Sequence, residues 1–144
     1  MKIRPWKYED ILRIAELEKE CFKNEAWSYQ MLASSFGTEA FCGMLAEDGG
    51  EVIGYGGFTA AGGSADIDVI AVAENYRRCG VAAAIVSELC KKAKKQGVKK
   101  LFLEVRVSNS AAMSLYLKCG FKGAYARSRY YPDGEDCLVM VKEL

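Results

Sequence analysis

Two stretches of this sequence combine residue types and spacing that could do chemistry. In the first, Leu103-Glu104-Val105-Arg106-Val107-Ser108-Asn109 runs into Ser110–Gly120, which carries Tyr116. It reads as an apolar strand interrupted by one carboxylate, then a polar cap, a short helix and a glycine stop. A carboxylate in a strand core has to be paired, shifted in pKa or used. Glu104 is therefore a candidate base, Tyr116 a candidate acid and Asn109 a polar anchor between them. Plainer readings stand beside these: Glu104 paired with Arg106 or a nearby lysine at a strand edge, and Tyr116 as a core residue whose hydroxyl finds one partner.

The second stretch is the turn Tyr76-Arg77-Arg78-Cys79-Gly80-Val81-Ala82-Ala83 between a strand and a long helix. Small residues here let a ligand approach the backbone, and the first-turn amides of a helix point outward unpaired. Such a terminus takes phosphate or pyrophosphate, aided by Arg77 and Arg78. The alternative is an ordinary glycine helix start with two surface arginines. Nucleotide loops of the form G-x-x-x-x-G-K-[ST] or G-x-G-x-x-G after a strand are absent. Gly54, Gly56 and Gly57 instead suggest a bulge or a close backbone approach.

The chain has no histidine, which removes the commonest general base and the commonest metal ligand. Catalysis must run on Glu, Asp, Tyr, Lys, Cys or backbone dipoles, and no metal site is expected. The six cysteines include no Cys-x-x-Cys pair. Most occupy apolar-face positions and read as free structural thiols.

These groups need a scaffold, and 144 residues with 51% hydrophobic content suffice for one domain over residues 1–144. Lys and Arg total 20 against 19 Asp and Glu, so charge makes no case for nucleic acid or a membrane surface. Apolar runs are too short for a membrane span and no signal-peptide pattern opens the sequence. A cytoplasmic location is the expectation.

Hydrophobic periodicity predicts a strand at Lys2–Arg4 and a helix over Tyr8–Phe22 with Ile11, Ile14, Leu17 and Cys21 on one stripe. Ser28 caps a short helix ending near Phe36. Strands Phe41–Glu47 and Glu51–Thr59 flank the hairpin signal Asp48-Gly49-Gly50. A strand at Ala65–Ala73 precedes a helix from about Gly80 to Gln96, stopped by Gly97, whose lysine-rich end reads as a solvated terminus. Val98–Arg106, the helix after Asn109, and strands at about Lys122–Arg129 and Asp136–Lys142 complete the chain. The strand–helix–strand run from Ala65 to Arg106 requires a parallel pair, whereas the hairpins are antiparallel. The expected fold is α+β in α/β/α layers, a mixed twisted sheet of about seven strands with about four helices.

On these residues the chain resembles the GCN5-related N-acetyltransferases. Arg77-x-x-Gly80-x-Ala82 resembles their pyrophosphate loop. Leu103-Glu104-Val105-Arg106, Ser108-Asn109, Leu115-Tyr116 and Gly120-Phe121 are similar to their bacterial N-terminal acetyltransferase branch. So are Trp27-Ser28, Arg129-Tyr130-Tyr131, Glu135-Asp136 and Met140. The sequence departs from the pattern at Ala82, where a third glycine is common. It departs again at Ala73-Glu74-Asn75, which lacks the usual proline, and at Ala26, which stands in place of a proline before Trp27.

The resemblance implies acetyl-CoA as donor and an enzyme with no metal. It assigns the pantetheine arm to Ile70, Ala71 and Val72. The pyrophosphate falls to Arg77, Arg78, Cys79, Gly80, Val81, Ala82 and Ala83, and a further cofactor contact to Asn109. Glu104 becomes the general base and Tyr116 the general acid for the leaving thiolate. Trp27, Tyr130 and Tyr131 fall where a peptide acceptor would lie. The implied partner is a protein N-terminus, in particular that of ribosomal protein S18. An α-amine has a pKa of about 7.7–8.0 and lysine about 10.4, so neutralising lysine at pH 7 costs about 3.5 kcal/mol more. That suits a carboxylate acting through water on an N-terminal amine, but burial can also lower a lysine pKa. Small-molecule amines or lysine side chains as acceptors, and a non-catalytic acyl-CoA-binding module, are the competing readings.

Overall fold

The computed structural model describes residues 1–144. Its strands are β1 (Lys2–Pro5), β2 (Phe41–Asp48), β3 (Glu51–Ala61), β4 (Ser64–Val72), β5 (Lys100–Arg106), β6 (Lys122–Arg127) and β7 (Cys137–Glu143). The helices are α1 (Ile11–Phe22), α2 (Tyr29–Phe36), α3 (Val81–Lys95) and α4 (Ser110–Lys118). One seven-stranded sheet runs β1-β2-β3-β4-β5-β7-β6. Only β4 and β5 are parallel, joined by the crossover through α3 that a parallel pair needs. The expected element order and the mixed sheet are both present.

Helices cover both faces. One core gathers Val81, Ile85, Leu89 and Ala93 of α3 with Tyr116 of α4 over Leu101, Leu103 and Val105. A second gathers Ile11, Ile14 and Leu17 of α1 with Leu32 of α2 over Leu45, Tyr55 and Val69. The β3 glycines serve close packing: a Cβ on Gly56 would stand 2.9 Å from Ile85 Cγ2 and 3.1 Å from Leu89 Cδ1. No helix is long and apolar enough to cross a membrane.

Several boundaries differ from the sequence expectation, among them the start of α1 and the end of β6. Tyr8–Asp10 forms a 3-10 turn rather than the first turn of α1. Asp10 accepts the Lys7 amide at 2.6 Å and the Arg4 guanidinium at 2.8 Å, which locks the tighter turn. At the other end β6 stops at Arg127, because Arg129 turns to φ +48° and gives its amide to Asp136 Oδ1 at 2.9 Å.

The feature that shapes the site is a split in the sheet. Pairing between β4 and β5 covers only Ser64–Asp66 against Lys100–Phe102. Just beyond, the β3–β4 register shifts between Gly57 and Phe58, leaving Asp68 without an opposite residue. Such a bulge bends its strand, and past it β4 and β5 part company, opening a cleft through the centre of the sheet.

Candidate active site

Along β5, Leu101, Leu103 and Val105 are buried in the α3/α4 core. Strand alternation then sends Phe102, Glu104 and Arg106 to the α1/α2 face. Glu104 is not the buried carboxylate that its apolar neighbours suggested: its side chain is 39% exposed. The strand is covered on one face only at this point, because the cleft opens on the other. Nor does it pair with Arg106. Oε1 accepts the Tyr130 hydroxyl at 2.9 Å and Oε2 faces Arg127 Nε at 3.4 Å. Each oxygen keeps lone-pair capacity for water.

Tyr116 approaches from the opposite face. α4 ends in a glycine-terminated motif in which Gly120 adopts φ +96° and the Phe121 amide donates to the Tyr116 carbonyl at 2.9 Å. The Phe121 ring packs edge-on at 6.0 Å. This fixes a tyrosine that is only 7% exposed and whose hydroxyl makes no hydrogen bond within the protein. No polar side-chain atom is sealed off without a partner, so that hydroxyl reaches open space. Burial pushes the phenol up to about 12, and it is protonated at neutral pH.

Between these faces runs the free edge of β4. The Ala73 amide donates to Ile53, and the register makes Ala71–Tyr55 the next hydrogen-bonded pair. Antiparallel alternation therefore turns the N–H and C=O groups of Ile70 and Val72 away from β3 and into the cleft. The Val72 carbonyl is taken by Arg77 Nε at 3.1 Å, leaving its amide free. Arg77 thus clamps the end of β4, and its Nη2 lies 3.5 Å from Cys21 Sγ.

The cleft leads to the start of α3. Gly80 occupies the cap position at φ +79° and Arg78 also lies in the left-handed region at φ +64°. No side chain caps the helix, and the first intrahelical bond is Ala84 N–H to Gly80 C=O. The amides of Val81, Ala82 and Ala83 are free, and nothing lies within 4 Å of a Cβ placed on Gly80. Cys79 is exposed beside them. Asn109 caps α4, its Oδ1 accepting the Ala112 amide at 3.1 Å, so its amide nitrogen stays free to donate.

Around Glu104 the tail loop is fastened by Arg106 in a role that sequence reading did not assign to it. Arg106 donates to Glu25 at 2.7 Å, Asp133 at 2.8 Å and Glu135 at 2.9 Å. It also stacks 4.1 Å from the Tyr131 ring centre. Glu135 accepts the Ser108 amide at 2.9 Å, and that bond together with Arg106 holds its carboxyl below the ordinary range. Tyr130 and Tyr131 pack edge to face at 5.2 Å. Trp27 stands apart at the entry to α2, half-buried against the α1/α2 core. Glu25, two residues before it in the chain, meets Arg106 at the cleft mouth. Asp68 also joins the Glu104 face, with Thr59 Oγ1 donating to its carboxylate.

The profile of the Acetyltransferase (GNAT) family matches residues 8–121. The chain belongs to the GNAT acetyltransferase family. It is 36% identical over 117 residues to the [ribosomal protein bS18]-alanine N-acetyltransferase of Escherichia coli strain K12, covering 79% of this chain and 78% of that protein. It is 45% identical over 76 residues to an N-alpha-acetyltransferase of Sulfurisphaera tokodaii, covering 52% of this chain and 46% of that one. Among solved structures, the Escherichia coli ribosomal-protein-S18-alanine N-acetyltransferase superposes with a TM-score of 0.90 at 30% identity over 99% of this chain and 92% of that one. Ard1 from Thermoplasma volcanium gives 0.89 at 25% identity, over 99% and 97%. The GNAT domain described here is an acetyltransferase, and its family draws the acetyl group from acetyl-CoA.

Proposed function

We propose that this GNAT enzyme transfers the acetyl group of acetyl-CoA to the α-amine of a protein N-terminus, the N-terminal alanine of ribosomal protein S18 being the acceptor. The observation that carries the reading is the position of the two proton-transfer groups. Glu104 and Tyr116 lie on opposite faces of the sheet where β4 and β5 separate. A thioester in that gap meets an amine from the Glu104 side and a proton donor from the Tyr116 side.

The cofactor fits the groups that face the gap. The free amides at Ile70 and Val72 suit an amide-bearing pantetheine arm, and those of Val81, Ala82 and Ala83, with Arg78, suit a pyrophosphate. Glu104 takes a proton from the acceptor amine through one water. The amine nitrogen then bonds to the acetyl carbon, and the Val72 amide is positioned to donate to the carbonyl oxygen as it gains charge. As the carbon–sulfur bond breaks, the thiolate takes the Tyr116 proton; Glu104 then releases the amine proton to solvent, from which Tyr116 is reprotonated.

A peptide acceptor is favoured by the aromatic loop at the cleft mouth, where Arg106 ties Glu25 of one wall to Asp133 and Glu135 of the other. The relatives' names agree with it. Mass spectrometry of an Ala-Arg-starting peptide carrying an internal lysine, incubated with acetyl-CoA and the enzyme, tests it. One acetyl group on the α-amine is expected. Exclusive lysine modification, or turnover only with small polyamines, overturns the acceptor assignment.

A further inference from the structure

One buried ionisable group takes no part in the chemistry above. Glu18 stands on the apolar stripe of α1 and is 2% exposed. No cation lies against it. Its Oε1 accepts the Tyr55 hydroxyl at 2.7 Å, and its Oε2 accepts the Trp27 backbone amide at 2.9 Å. Burying a carboxylate with only neutral donors is unfavourable, and a leucine there would extend the stripe of Ile11, Ile14 and Leu17. The two partners indicate what the carboxylate achieves.

Tyr55 is fully buried on β3 and registers with Ala71, between the two residues whose amides face the cleft. Trp27 closes the connection from α1 to α2. That connection contains Glu25, which meets Arg106 at the cleft mouth. A charged acceptor holds a backbone amide more firmly than a neutral one. Glu18 therefore ties the α1–α2 connection to the strand beside the cofactor edge.

Resting on the peptide-acceptor reading, we propose that Glu18 is a positioning residue for the acceptor. Through the Trp27 amide it sets the wall from which Glu25 reaches Arg106, and so governs acceptor binding rather than cofactor binding. Steady-state kinetics on the full chain test this with an Ala-starting peptide and acetyl-CoA varied separately. Glu18→Leu is expected to raise the peptide KM about tenfold and to leave the acetyl-CoA KM within about twofold. Glu18→Gln should recover most of the loss, since its carbonyl can accept the Trp27 amide while its NH2 donates to the Tyr55 oxygen. If Glu18→Leu does not fold, Tyr55→Phe decides: it removes one partner and should raise the peptide KM alone, by a smaller factor. An unchanged peptide KM in the folded variants, or equal rises in both KM values, overturns the proposal while leaving the acceptor reading intact. Wild-type enzyme that acetylates no peptide overturns both.

Discussion

The Tyr130 hydroxyl donates to Glu104 Oε1 at 2.9 Å, so a loop from the edge of the sheet orients a carboxylate near its centre. Arg127 flanks the other oxygen and lies 5.6 Å from the Tyr130 ring centre. Glu104, Arg127 and the tyrosine loop are one assembly.

Removing the proposed base and loosening its support should therefore differ in degree. Glu104→Gln is expected to lower kcat by roughly 10²–10⁴, with acetyl-CoA affinity unchanged. Tyr130→Phe keeps the carboxylate but frees it to rotate, and is expected to lower kcat about tenfold. Calorimetric acetyl-CoA binding beside single-turnover rates checks both. Wild-type turnover in Glu104→Gln removes it from the proton path.

The pH profile separates the proposed acid from the proposed base. Burial raises the Tyr116 phenol to about 12, so the phenol proton is retained until pH approaches that value. With an α-amine acceptor, kcat/KM should climb as the amine deprotonates near pH 8 and then hold level to at least about pH 10. Tyr116→Phe is expected to lower kcat by roughly 10²-fold or more across that plateau. A wild-type fall beginning near pH 9 contradicts the assignment.

Much of this was legible in the sequence, because alternation and helical spacing are local. Leu101, Leu103 and Val105 against Phe102, Glu104 and Arg106 already divide β5 into two faces. The turn at Gly80 and a polar cap at Ser108 or Asn109 follow from residue type, and the structure puts the cap at Asn109. The split between β4 and β5 was not legible, since it depends on where pairing stops and on a bulge at Asp68. Nor was Arg106 as a hub, whose carboxylates come from Glu25, Asp133 and Glu135, far away in sequence. Glu18 did leave a signal: a carboxylate four residues past Ile14 lies on the buried stripe, where an exposed glutamate does not belong.

Asp68 carries a stability cost of known sign. Burial raises its carboxyl above the ordinary value, with Asp66 and Glu104 adding to the shift. The folded state thus holds this proton more tightly than the unfolded chain, and stability falls as pH rises from the unfolded pKa, about 3.9, through the folded one. Asp68→Asn keeps an acceptor for Thr59 and removes the charge. Urea midpoints at pH 7 should be higher for the variant, equivalent to a few degrees of Tm, and nearly equal to wild type at pH 3.5. A variant less stable at both pH values shows that the carboxylate is held for a compensating contact.

The α3 turn offers the sharpest test of the cofactor end. Gly80 sits at φ +79° with open space where a Cβ would go. Gly80→Ala therefore meets no clash, only the strain of a left-handed alanine, about 1–2 kcal/mol. That corresponds to a loss of about 2–8 °C in Tm. The same strain works against the backbone conformation that turns the Val81, Ala82 and Ala83 amides outward together. The KM for acetyl-CoA should rise severalfold while the peptide KM stays level, the reverse of the split expected for Glu18→Leu. A Tm loss with an unchanged acetyl-CoA KM means the free amides at this helix start do not hold the cofactor's phosphates, and only the cleft between β4 and β5 binds it.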